Sequence, residues 1–163
     1  MADFLNKLPI PYEPKRKNRW VLRFPTELGI QEIMVASASR PTFTQSDVEI
    51  PLFNTSTFVA GRFVWEPITV TIRDVIGPST AQAIMEWVRL HAESVTGRQG
   101  YAVGYKKDVY LDMLDPTLQA SVEKWLLQGT FITSANFGDL AMDDDGIAEI
   151  TLELRFDRAI LLY

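Results

Sequence analysis

Apolar and polar residues alternate with a period of two through much of this chain, and the breaks in that alternation divide it into short strands. From Arg19 to Phe24, residues Trp20, Leu22 and Phe24 share one face and Arg19, Val21 and Arg23 the other, as in a half-buried strand. After the turn sequence PTELG, Gln31 to Ser39 reads as the partner strand, with Ile33 and Val35 facing one way and Met34, Ala36 and Ala38 the other. Between Thr44 and Gly61 two β-rich runs flank Asn54, Thr55 and Ser56. Pro51, which has no N–H to donate, is out of place in a central strand, so an exposed hairpin over 46–61 is expected. Arg62 to Asp74 carries the clearest alternation, Ile68, Val70 and Ile72 against Thr69, Thr71 and Arg73, and predicts the strand that anchors the hairpin in the body.

Only one segment has helical spacing. After Gly77 and Pro78, Ser79 or Thr80 can cap a helix over 79–92 in which Ile84, Trp87, Val88 and His91 fall at i, i+3, i+4 and i+7. Alternation resumes from Lys107 to Leu114, with Val109, Leu111 and Met113 inward, and Asp115-Pro116 then turns the chain. Val122 to Ser134 is apolar on both faces, so Trp125, Leu127 and Phe131 are candidates for contact with a neighbouring subunit. Ile147 to Arg158 gives the last long strand, Ile150, Leu152, Leu154 and Phe156 opposing Thr151, Glu153, Arg155 and Asp157. The expected fold is mainly β: an antiparallel β-sandwich or partly closed barrel, with one α-helix and a protruding β-hairpin. Residues 1–163 read as one domain without internal repeat or linker, long enough to bury roughly 70% of its unfolded surface.

Charge adds an asymmetry to this picture. The net charge is −5, yet residues 1–24 hold Lys7, Lys15, Arg16, Lys17, Arg19 and Arg23 against Asp3 and Glu13, whereas Asp108 to Tyr163 has eleven acidic residues against Lys124, Arg155 and Arg158. Such a distribution favours edge-to-edge meeting of like subunits or of oppositely charged partners. Pro9, Pro11 and Pro14 make residues 1–17 an extended arm. No apolar run reaches the roughly 18 residues of a membrane span, and the start of the sequence lacks the order of a secretory signal, so no membrane insertion is expected. Without cysteine there is neither disulfide nor thiolate metal site.

Candidate chemistry is sparse. The sole histidine, His91, lies on the apolar stripe of the helix, where a structural imidazole is the simpler reading than a catalytic one. Asp143-Asp144-Asp145-Gly146 suggests a calcium loop, but Ala141 and Leu152 stand where the first and last ligands belong, and an Asp-Gly turn accounts for it. Gly97-x-x-Gly100 lacks the Gly-Lys-Ser/Thr ending of a phosphate loop. Lys106-Lys107 and the basic arm have no interleaved aromatic residues of the kind that stack on single-stranded nucleic acid. No enzyme activity, metal or cofactor is expected, which leaves a building or binding role.

Val59-Ala60-Gly61-Arg62-Phe63, running through Trp65-Glu66-Pro67-Ile68-Thr69-Val70-Thr71, resembles the tail tube proteins of contractile-tailed phages, relatives of type VI secretion tube proteins. A second similarity runs from Tyr105-Lys106-Lys107 through Trp125 to Gly129 and Asn136-Phe137-Gly138-Asp139-Leu140 into the Glu149 to Asp157 strand. Together they cover most of the chain beyond residue 18, carried by order and spacing rather than by one diagnostic motif.

The resemblance implies a sandwich protomer in hexameric rings that stack into a hollow tube. A contractile sheath would lie outside, baseplate and terminator proteins at the ends, and DNA would pass through the lumen without sequence-specific binding. The location implied is a virion tail, with synthesis in the host cytoplasm. The hairpin would reach an adjacent ring through Val48, Ile50, Leu52, Phe53 and Phe58, with Asp47, Glu49 and Arg62 as rim charge. Two physical points agree: an exposed apolar hairpin is an aggregation hazard unless assembly covers it, and an acidic wall lets phosphate backbone slide without sticking. Alternatives are a baseplate or tube-initiator ring, a type VI or tailocin tube protein and, in a different class, a small-molecule-binding β-barrel.

Overall fold

One strand organises the molecule. In the computed structural model, which describes residues 13–163, β7 (Ser121–Asn136) pairs antiparallel with three others. Pro9 and Pro11 of the expected arm lie outside the described residues. On one edge β7 pairs with β6 (Lys107–Leu114), which pairs with β1 (Trp20–Arg23). On its other edge it meets β8 (Glu149–Arg155) and β9 (Arg158–Leu161); β8 pairs onward with β5 (Ile68–Arg73), and β5 with β2 (Val35–Ala38).

β8 and β9 keep one register against β7, with Phe131 opposite Arg155 and Gln128 opposite Arg158, so they are a single strand bent at Phe156 and Asp157. The bend faces Gly129, whose φ of +68° places it in the left-handed region that glycine adopts without strain. On the β6 side, Gln128 and Gly129 together oppose Asp108, a bulge that sharpens the turn. The bend divides the sheet into two layers, β1-β6-β7-β9 and β7-β8-β5-β2, and brings β2 beside β1 with no ladder between them. The result is the partly closed barrel expected from the sequence.

Between the layers lies the core. Leu22, Val109, Leu111 and Leu127 come from one side, and Ile68, Val70, Ile72, Ile150, Leu152 and Leu154 from the other. Helix α1 (Thr80–His91) adds Ile84 and Trp87; Ser79 caps it by accepting a hydrogen bond from the Gln82 N–H at 3.4 Å. Trp87 meets Phe24 edge to face, and its Nε1 donates to the Tyr105 carbonyl at 2.9 Å, at the end of the one-turn helix α2 (Ala102–Tyr105).

Three expectations need correction. The 31–39 segment is strand only from Val35, after a 3-10 turn over Glu32–Met34, and it pairs with β5 rather than β1. Alternation reveals which face is apolar but not which strand lies alongside; β1 takes β6, setting Leu22 opposite Leu111 on the core face. PTELG is accordingly no hairpin turn but a 3-10 turn, Thr26–Leu28, with Leu28 buried. The run from Arg62 to Asp74 is broken at Glu66 and Pro67, because proline cannot donate to a ladder; Arg62 to Trp65 belong to the hairpin and only Ile68–Arg73 to the body.

Candidate functional site

β3 (Phe43–Leu52) and β4 (Thr55–Trp65) form a two-stranded sheet of their own, longer than the 46–61 expected. Every residue of β3 is exposed. Pro51 fits because this sheet has no third strand to need its missing N–H. The tip turns at Phe53 and Asn54. Phe53 is fully exposed with φ +44°, a conformation that an aromatic residue seldom adopts.

The register sorts the residues expected to make contact. Val48 lies opposite Val59, Ile50 opposite Thr57 and Leu52 opposite Thr55, so Val48, Ile50, Leu52 and Val59 share one face. The other face carries Asp47 opposite Ala60 and Glu49 opposite Phe58, and there the Ser56 hydroxyl donates to Glu49 at 2.5 Å. One face is therefore an apolar stripe, and the other is polar around a single phenyl ring. Val59 belongs with the stripe and escaped the sequence reading, which had no register to place it.

A bulge separates this outer half from the root: Gly61 and Arg62 together oppose Ser46. Ser46 Oγ accepts a hydrogen bond from the Arg62 N–H at 2.9 Å, and a Cβ at Gly61 would stand 2.5 Å from that oxygen. Arg62 thus sits in the bulge rather than in the regular ladder. At the root, Phe43 stacks on Phe63 with centroids 4.6 Å apart, and Trp65 packs against Phe43, Phe63, Trp125 and Phe156. This aromatic cluster joins the hairpin to the bend of the barrel.

The three candidates on β7 have different places. Leu127 is fully buried in the protomer's own core, so it has no surface for a neighbour, and its reading as an inter-subunit residue is corrected. Trp125 is half-buried at the hairpin root. Phe131 is half-buried with Tyr105 and His91, centroids 5.6 and 6.0 Å away. Strand β7 is covered on its second face partly by its own chain, which periodicity cannot distinguish from a neighbour.

At the Ser121 end of β7, Glu123 is buried and accepts hydrogen bonds from Lys15, Arg40 and Trp125 Nε1, the last at 2.6 Å. Burial pushes its carboxyl up, but the bonds from Lys15, Trp125 and Arg40 and the Arg40 charge outweigh this and hold it at about 2. Glu123 thereby ties the chain before β1 to the chain between β2 and the hairpin. Nothing in the sequence flagged it, since its partners are 108 and 83 residues away.

Burial lowers the pKa of His91, whose ring lies 5.3 Å from that of Tyr105 and whose Nδ1 has no hydrogen-bond partner among the described residues. It sits in an aromatic setting between Tyr105 and Phe131. Among the described residues no three acidic or histidine side chains converge as metal ligands, and no helix is long and apolar enough to cross a membrane.

No protein-family model matches the sequence, and no curated protein matches it. Solved structures do. A chain in the cryo-EM structure of the anti-feeding prophage cap, the tube-terminating cap, is 18% identical, with 99% of this chain and 98% of that one covered and a TM-score of 0.73. A chain of the sheath-tube complex of the extracellular contractile injection system PVC, in its extended state, is 18% identical over 93% of each chain, at 0.71. A chain of the six-fold symmetrised anti-feeding prophage baseplate is 17% identical over 93% of this chain and 97% of that one, at 0.68. The protein shares its fold, nearly end to end, with chains of contractile injection particles.

Proposed function

We propose that this chain is a structural subunit of the tube of a contractile particle, working without catalysis or cofactor, and that its copies form six-membered rings that stack through the hairpin. The observation that carries this reading is the detached β3–β4 sheet, with Val48, Ile50, Leu52 and Phe53 exposed along it. Apolar strands of this kind are covered in a working protein or they aggregate. Likeness in fold to chains of a sheath-tube complex and a baseplate supports a tube role, with sheath outside and terminating proteins at the ends. The phage-tail form of this reading adds DNA as the passenger and a virion as the location.

Electron microscopy of the concentrated protein tests the proposal. Stacked rings of uniform diameter are expected, and deletion of Asp47 to Phe58 should leave folded protein that no longer stacks. Persistent monomer, or unchanged stacking after the deletion, overturns it. A second reading, a terminal ring, is suggested by the match, over 99% of this chain, to a chain in the structure of a tube-terminating cap. Rings that remain single at every concentration would select it.

A further inference from the structure

We propose that the acidic loop between β7 and β8 of one copy docks on the basic seam between β1 and β2 of a second copy, a head-to-tail contact separate from the hairpin. The proposal rests on the reading that copies assemble, and it adds a named pair of surfaces.

The loop, residues 137–148, is exposed throughout. It carries Asp139, Asp143, Asp144 and Asp145 with no cation, and among them Leu140, Met142 and Ile147 project into solvent. Its tip has a defined shape: the Asp144 carboxylate accepts from the Gly146 N–H at 2.9 Å, and the Asp144 N–H donates to the Ala141 carbonyl at 3.3 Å. Three successive aspartates repel one another, and three exposed large apolar side chains beside them have no reason to stay in water.

The seam is its chemical complement. Where β2 lies beside β1 without pairing, a cavity opens with Lys15, Arg16, Lys17 and Arg40 at its rim and apolar groups including Trp20 and Met113 in its wall. Glu123 offsets only part of that charge. Basic groups around an apolar wall fit a segment in which acidic and apolar residues alternate.

Among the described residues no hydrogen bond or ion pair joins this loop to Lys15, Arg16, Lys17 or Arg40 of the same chain; Lys15 and Arg40 are held instead by Glu123 on β7, and the proposed contact joins separate copies. A contact between two different patches is heterologous: it leaves a free loop at one end of a row of copies and a free seam at the other, so it either closes a ring or propagates. Fixed-charge contacts of this kind weaken with salt.

The chain has no cysteine, so a Lys17→Cys/Asp144→Cys variant supplies the only thiols. Oxidation of its assemblies should give a ladder of covalently linked chains, and the single variants at most dimers. Independently, Arg16→Glu/Lys17→Glu and Asp143→Lys/Asp144→Lys should each weaken low-salt stacking about tenfold or more, while all four changes in one chain restore it. Absence of a ladder in particles that stack through the hairpin, or no restoration in the fourfold variant, overturns this contact and leaves the tube reading standing. Wild-type protein that never associates overturns both. A reversed seam that stacks normally but no longer retains a DNA duplex assigns the seam to phosphate and also overturns the contact.

Discussion

The indole of Trp65, the last residue of the hairpin, meets the indole of Trp125 on β7 edge to face, with centroids 6.4 Å apart and planes at 78°. Phe156, at the bend between β8 and β9, lies 6.1 Å from the same Trp65 ring. The hairpin is therefore rooted on the corner where the two layers of the barrel divide. Trp65→Ala removes the piece common to both. It should cost about 3 kcal/mol in chemical denaturation, the lower part of the range for a large aromatic because Trp65 is only half-buried, and it should also free the hairpin from its angle. Unchanged stability would show that the root does not depend on this ring.

Phe53 separates assembly from folding. Its side chain touches solvent only, and its left-handed backbone suits asparagine better than phenylalanine. Phe53→Asn should leave the melting temperature equal or higher and suppress ring stacking. A polar residue at Phe58, on the charged face, should likewise spare folding and weaken stacking. Stacking unaffected by both changes would remove the hairpin from the interface.

Gly129 has no room for a side chain. An added Cβ would lie 2.3 Å from the Asp157 carboxylate, which Lys106 holds at 2.9 and 3.0 Å, and alanine is also strained at φ +68°. Gly129→Ala should destabilise by about 1–3 kcal/mol. Adding Asp157→Ala should return only the steric part of that loss, leaving the backbone part. Full recovery in denaturation would mean the φ requirement is not real.

The faces of the strands were legible in the sequence because a period of two is a local property. Leu22, Val109, Leu111, Val70, Leu152 and Leu154 all point where alternation puts them. Partners are not local, and so β2 was assigned to β1 although it pairs with β5. A run of alternation also conceals a break when both sides of it alternate, as at Glu66 and Pro67. The hairpin itself was legible because an apolar stretch that carries Pro51 is out of place in a central strand. Glu123 was not, because a lone acid in an apolar run acquires meaning only when Lys15 and Arg40 arrive from far along the chain.

Val70 lies between Ala38 on β2 and Leu152 on β8, with no exposed surface. Val70→Asp would bury a carboxylate among the aliphatic side chains of the two-layer core, at a cost of several kcal/mol, comparable to the whole stability of a domain. The expected result is insoluble or unfolded protein, seen as loss of the β-sheet circular dichroism signal. Soluble Val70→Asp protein with native spectra would contradict the core assignment.

Glu123 should make stability depend on acidity in a definite direction. Its folded pKa, about 2, lies below the ordinary 4.5, so the unfolded chain takes up its proton first as pH falls. The contribution is complete above about pH 4.5 and disappears as pH falls through about 2. The full shift corresponds to roughly 3 kcal/mol, but the Lys15 and Arg40 side chains are 51% and 57% exposed, and solvent screening reduces this to about 1–2 kcal/mol. Glu123→Gln should therefore be less stable than wild type by about that amount at pH 7, and the gap should shrink by more than half at pH 3. Other carboxylates titrate in both proteins, so the difference between the two denaturation curves isolates this one. A gap that stays constant from pH 7 to pH 3 would mean that Glu123 contributes shape and hydrogen bonds but not charge, and that the tie between the two chain segments survives its neutralisation.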